Sequence, residues 1–152
     1  MAVTLTWVGD GAPRMEVAHV QDHGDHITAV GTQLGSGYEL RYRLEPRVLS
    51  LELVGLRSLE VELGDADFFD LGLSPLFNSL PVIRDALLSV DTPRTYVMRW
   101  VAVPSLEATQ AEQRYEPLGD GVIRFGAGDF TADIRFDEDG FVLYYPGLAK
   151  RV

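Results

Sequence analysis

Hydrophobic and polar positions alternate with a period of two along most of the chain. In "YELRYRLE", Tyr38, Leu40, Tyr42 and Leu44 fall on one side, and Glu39, Arg41, Arg43 and Glu45 on the other. Successive side chains of a strand point to opposite faces, so this stretch predicts a strand with one dry and one wet face. "FTADIRF" repeats the pattern, with Phe130, Ala132, Ile134 and Phe136 together. "VLSLELV" groups Leu49, Leu51 and Leu53, and "SLEVEL" groups Leu59, Val61 and Leu63. Further strands are predicted at 4–8, 14–21, 27–34, 96–103, 111–118, 122–125 and 141–145. Between them stand "GDG" at 9–11, "DHGD" at 22–25, "GSG" at 35–37, "GDG" at 119–121 and "DEDG" at 137–140. These residues tolerate the positive φ of tight turns. Strands separated this way predict an antiparallel meander joined by hairpins. No stretch reads as a linker, so one domain is expected over residues 1–152.

"SPLFNSLPVIRDALL", residues 74–88, breaks the period. Ser79 can cap a helix and Pro81 suits its first turn, which predicts a helix over about 79–89. Leu80, Ile83 and Leu87 share one face. Val82, Ala86 and Leu88 widen that face until only Arg84 and Asp85 remain as a polar corner. A flat sheet covers one side of a helix. A helix that is apolar on most sides requires a sheet that curls around it. The expected fold is therefore mainly β, a long antiparallel sheet curled around a single α-helix.

Charge removes several function classes. The chain has 13 basic and 23 acidic residues and a net charge of −10, with Lys150 its one lysine. Binding to nucleic acid or to an anionic membrane surface draws on clustered Lys and Arg, so neither is an expected partner. Cysteine is absent, which excludes disulfides, thiolate metal sites and a thiol nucleophile. The opening "MAVTLTWVGDG" lacks the basic and apolar regions of a signal peptide. No run approaches the ~18 apolar residues of a membrane span. A cytoplasmic protein is the expectation.

Candidate chemistry is sparse. His19, His23 and His26 lie with Asp22 and Asp25 in "HVQDHGDH", and these are metal-ligand types. Their spacing matches no ligand motif, and Gly24 suits a polar hairpin tip, so no metal is assigned. Asp65, Asp67 and Asp70 in "GDADFFDLG" sit in an acidic loop, with Asp65 and Asp67 marking a solvated turn. There is no G-x-S-x-G, no P-loop and no G-x-G-x-x-G opening a helix. No catalytic residue and no cofactor is assigned. Aromatic residues crowd the second half. At alternating spacing they are core residues, although a cupped sheet lined with them also leaves room for an apolar cavity.

Three segments resemble one family. "DLGLSPLFNSLPVIR" (70–84) resembles the D-L-G-x-S/T-P-x-x-N-x-L/F-P-I/V signature of the glycolipid-binding family, formerly a domain of unknown function. "EQRYEPLGDGVIRF" (112–125) is similar to its Q-x-Y strand and hairpin. "FTADIRFDEDGFVLYYPGLAKRV" (130–152) is similar to its closing D-x-x-G-F/L-V-x-x-Y-P-x-L segment. Phe68 departs from the family, which carries an acidic residue there. The resemblance implies a spiral β-roll, similar in outline to bacterial lipoprotein carriers. It also implies a homodimer and carries no catalytic residues.

The expected function is non-enzymatic binding of a glycolipid or other amphiphile. Its tail would lie between Leu76, Phe77, Leu80, Ile83 and Leu87 and the inner sheet face. Headgroup contacts would come from Asn78, Gln113, Arg114 and Tyr115. Two other readings stand beside it. One is an assembly protein without a small ligand, dimerising through open sheet edges. The other is a hydrolase acting on a lipid-like substrate, which needs a titratable cluster facing a cleft.

Overall fold

The computed structural model describes residues 1–152 and contains one sheet of thirteen strands. These are β1 (Ala2–Gly9), β2 (Met15–Asp22), β3 (Ile27–Gly35), β4 (Tyr38–Leu44), β5 (Val48–Leu53), β6 (Arg57–Glu62), β7 (Phe68–Leu71), β8 (Arg94–Val101), β9 (Ala108–Gly119), β10 (Val122–Ala127), β11 (Phe130–Phe136), β12 (Val142–Tyr145) and β13 (Ala149–Arg151). One helix, α1 (Pro75–Arg84), and a 3-10 turn (Leu87–Ser89) lie between β7 and β8. The spatial order is β6-β5-β4-β3-β2-β1-β13-β12-β11-β10-β9-β8-β7. Neighbours are antiparallel except β7 and β8, which run parallel from Phe68↔Met98 to Leu71↔Val101.

This order requires the curl. β6 and β7 are consecutive in the chain but hold opposite edges of the sheet. In a flat sheet, twelve gaps of ~4.8 Å would set them about 58 Å apart. The link 63–67 reaches about 20 Å at most. The two edges must therefore approach each other, and the link is tied to both sides. Leu63 N–H donates to the Arg47 carbonyl at 2.9 Å, and Asp67 N–H to the Val97 carbonyl at 2.7 Å. The sheet is rolled but not closed.

The one parallel pair explains the helix. Parallel neighbours cannot be joined by a hairpin and need a crossover, usually helical. α1 is that crossover, and its first eight residues, Pro75–Val82, are buried. It starts at Pro75 rather than 79 and ends at Arg84 rather than 89. Ser74 is the N-cap residue and Pro75 opens the first turn. Pro81, expected in the first turn, sits inside the helix, where its missing N–H forgoes one intrahelical bond. Ala86, with φ 50°, turns the chain into the left-handed region before Leu87. Ser79 is not the cap; its Oγ accepts the Val142 N–H at 3.1 Å.

Two strands escaped the sequence pattern. β7 falls inside the stretch read as an acidic loop, and all but its first residue are buried, so it shows no alternation. β13 has three residues, too few for a period, yet it joins the two halves of the sheet through Trp7↔Arg151 and Tyr145↔Ala149. The pairing of β11 with β12 slips between Arg135 and Phe136. Beside that slip, the Val142 N–H reaches Ser79 while its carbonyl accepts Trp7 Nε1–H at 2.9 Å. The helix is thus pinned to the sheet by polar bonds as well as packing. The larger core cluster includes Trp7, Leu40, Leu49, Leu76 and Phe77. A smaller one gathers Met98, Tyr115, Ile123, Ile134 and Val142 around Val82 and Leu87.

Candidate functional site

Two buried carboxyl groups flank the approach to the helix. The first is Glu16. On β2 it shares the inward face with Ala18 and Val20 and is 1% exposed. Its carboxylate accepts from Tyr42 Oη–H at 2.8 Å, Ser74 Oγ–H at 2.6 Å and Gln33 Nε2–H at 3.3 Å. Gln33 also donates to the Gly72 carbonyl at 3.2 Å and accepts from Tyr38 Oη–H at 2.6 Å. Two glycines of β3 make room for the tyrosines. A Cβ on Gly31 would stand 2.2 Å from the Tyr42 ring, and one on Gly35 2.1 Å from the Tyr38 ring. Burial pushes the Glu16 carboxyl up to about 7, against the donors Ser74, Tyr42 and Gln33 and the charge of Arg14. The cluster ties residues 72–74 to the sheet. It also explains why Ser74 makes no side-chain cap bond to α1: its hydroxyl is committed to Glu16.

The second carboxyl is Asp70 on β7, 7% exposed. One side-chain bond holds it, from Gln113 Nε2–H on β9 to Oδ2 at 2.6 Å. Burial raises the Asp70 carboxyl to about 6, and the Gln113 bond only partly opposes this. Gln113 is 3% exposed, and its Oε1 has no hydrogen-bond partner.

Beside this pair lies a cavity of about 600 Å³. Leu71, Val103, Trp100, Phe125 and Leu148 supply apolar wall. Asp70, Ser74, Asn78 and Gln113 supply the polar groups, and Asp70 is the one charged side chain in the lining. Leu73 and Phe130, also in the lining, are exposed. A run of edge-to-face rings, Phe68, Tyr96, Tyr115, Phe125 and Phe130, leads along the inner sheet face to the cavity. Such contacts hold each ring in a set orientation.

The sequence-predicted residues divide. Asn78 and Gln113 line the cavity. Leu76, Phe77, Leu80 and Leu87 are buried in the core, and Ile83 packs half-buried against it. Tyr115 is fully buried, its hydroxyl accepting Asn78 Nδ2–H at 3.4 Å. Arg114 lies on the solvent face against Glu116 at 3.6 Å. Leu80 and Arg84 border a separate recess of about 230 Å³. A wider hollow of about 690 Å³ lies over β3–β6, but it is open and lined by charged and polar side chains such as Arg41, Arg43, Glu52 and Glu60. The cavity of about 600 Å³ beside Asp70 is the better candidate because its polar groups are buried and its walls are apolar. In the histidine group, His19 bonds Thr4, His23 bonds Thr28 and His26 bonds Asp25.

The sequence pattern does not mark Glu16 or Ser74 for this region, includes Trp100 only among the aromatics of the second half, and puts Asp70 in an acidic loop. Parity was the available signal for Glu16, which is in phase with Ala18 and Val20, and for Trp100, which is in phase with Tyr96 and Met98.

Residues 51–151 match the family described as "Putative glycolipid-binding". The chain belongs to this family. All the cavity residues named above fall within the matched span of the glycolipid-binding family, whereas Glu16 and Gln33 precede it. A crystal structure of a DUF1089 family protein from Pseudomonas aeruginosa is similar, with a TM-score of 0.58 and 22% identity. The likeness covers 94% of this chain and 80% of that one. At that identity it speaks for the fold, a large curled sheet with one helix. No match was found among curated proteins.

Proposed function

We propose that this member of the glycolipid-binding family binds an amphiphile in the cavity between β7, the start of α1 and β8–β12. One observation carries the reading: about 600 Å³ of unfilled space, apolar along most of its wall and ending on buried polar groups. A recess of this size with apolar walls falls in the range of small-molecule sites. The tail is placed against Leu71, Val103, Phe125 and Leu148, at the helix start. The helix's own face offers no such room, because Leu76, Phe77 and Leu87 are at 0% exposure.

The role is binding, not catalysis. Ser74 and Glu16 do form a hydroxyl–carboxyl pair, but Tyr42 and Gln33 occupy the same carboxyl and Ser74 is 2% exposed. A carboxylate already taken by three donors is a poor general base.

Native mass spectrometry of the protein purified from its own host tests the reading. The expected result is a co-purifying glycolipid. A bare chain that also stays bare after incubation with lipid extracts would overturn it. The homodimer that the family resemblance implies would be built on β6 and β7, the two strands with a free edge. A monomer by light scattering at tens of micromolar would remove that part.

A further inference from the structure

We infer that the cavity takes the protonated primary amine of a cationic amphiphile, with Asp70 as its counter-ion. This rests on the amphiphile reading and adds the sign of the headgroup charge. The polar end of the cavity offers open acceptors. The side-chain atoms that are both closed off and unpartnered are Arg14 Nε and Gln113 Oε1. Asp70 Oδ2 takes the Gln113 Nε2–H, whereas Asp70 Oδ1 accepts no hydrogen bond and is not one of the closed-off atoms. Asn78 is in the same condition. Its Nδ2–H is turned to Tyr115 Oη, and its Oδ1 is free and open. Both residues line the cavity. An ammonium group carries three N–H donors and no acceptor, so it matches an end built of oxygens that only accept.

Charge and ring faces point the same way. No Lys, Arg or His lines the cavity to balance Asp70. Arg14, whose Nη1–H donates to the Leu148 carbonyl at 3.1 Å, acts on Glu16 and not on Asp70. The phenols that sense the Asp70 charge, Tyr115 and Tyr145, are held neutral by burial first and by that charge second. Behind Ser74, Glu16 adds a second carboxyl. A buried carboxylate without a cation is costly, and a ligand cation with N–H donors offsets that cost. Trp100, the register partner of Asp70, lines the cavity with Phe125, Phe130 and Tyr145. The negative faces of such rings attract ammonium ions, and an apolar tail packs on the same surface. A phosphate headgroup would lose its water and meet like charge.

Three probes with one tail test the assignment by calorimetry: dodecylammonium, dodecyl glucoside and dodecyl phosphate, each below its micelle concentration. At about pH 8 the amine is protonated and Asp70, whose carboxyl lies at about 6, is ionised. Dodecylammonium is expected to bind at least about tenfold tighter than either of the others. Asp70→Asn keeps the side-chain shape and removes the charge. It is expected to cut the amine's advantage by about tenfold, with a retained cooperative unfolding transition as the folding control. Glu138→Gln removes the same single charge from an exposed turn and is expected to leave the advantage intact. Glucoside or phosphate binding as tight as the amine overturns the ammonium assignment and leaves the amphiphile reading standing. So does an advantage that survives Asp70→Asn, or one that Glu138→Gln removes equally. Binding of none of the three overturns both.

Discussion

Glu16 and Asp70 start from the same position and end differently. Both are strand carboxyls turned into the roll, both are more than nine-tenths buried, and burial raises both, to about 7 and about 6. Glu16 meets three donors, drawn from β3, β4 and the helix start, and it does not line the candidate cavity. Asp70 meets one donor, whose own oxygen is left unpartnered, and it borders unfilled space. The difference separates two uses of a buried polar group. A satisfied one anchors chain segments that are distant in sequence. A half-satisfied one beside a cleft keeps capacity for a further hydrogen bond.

The sharpest way to break this comparison is Glu16→Leu. It strands the hydroxyls of Tyr42 and Ser74 and the amide of Gln33, and should cost about 3–5 kcal/mol in urea unfolding. A loss under ~1 kcal/mol would mean that the cluster is not an anchor.

The pH dependence comes next. Folded Glu16 keeps its proton up to about pH 7, whereas its ordinary value is 4.5. The folded state therefore binds more protons than the unfolded state, and stability falls as pH rises through that window. The contribution is on the order of 3 kcal/mol. Denaturation at about pH 5 and pH 8 should show it, and Glu16→Gln should flatten the difference. Asp70 acts with the same sign over a lower window, from 3.8 to about 6.

Gly31→Ala tests the anchor indirectly. The new Cβ would collide with the Tyr42 ring, displacing its hydroxyl from Glu16, at about 1–3 kcal/mol. Asp70→Asn should behave in the opposite way. It relieves a buried charge and should leave stability at about pH 8 unchanged or raise it by about 1–2 kcal/mol. Equal destabilisation by Asp70→Asn and Glu16→Gln would erase the contrast. The smallest effect belongs to Arg114→Ala, within ~0.5 kcal/mol, because the side chain is exposed on the outer face. It should not change amphiphile binding by calorimetry.

The strands from Ala2 to Glu62 were legible because each carries enough residues to show its period. β7 was not, since a strand buried on both faces has no alternation to read. The helix was legible as a greasy segment but misplaced, because "SP" at 74–75 and "SLP" at 79–81 offer the same start signal twice. The site was half legible. Asn78 stood out as a polar residue in an apolar segment and Gln113 through the Q-x-Y resemblance, and both line the cavity. Arg114 stood beside them in the sequence but alternates to the solvent face.

What the sequence determined by itself is local: the strand periods, the turns between them and a helix too apolar for a surface. Together these already demand a curled sheet, because hydrophobic periodicity depends only on near neighbours in the chain. Tertiary structure decided which inward polar residues meet. Glu16 finds Ser74, 58 residues away, and Asp70 finds Gln113, 43 residues away, only through strand order and register. It also decided where the interior stays unfilled. A void is the remainder left by side chains from several strands and the helix start, and no single segment carries that sum.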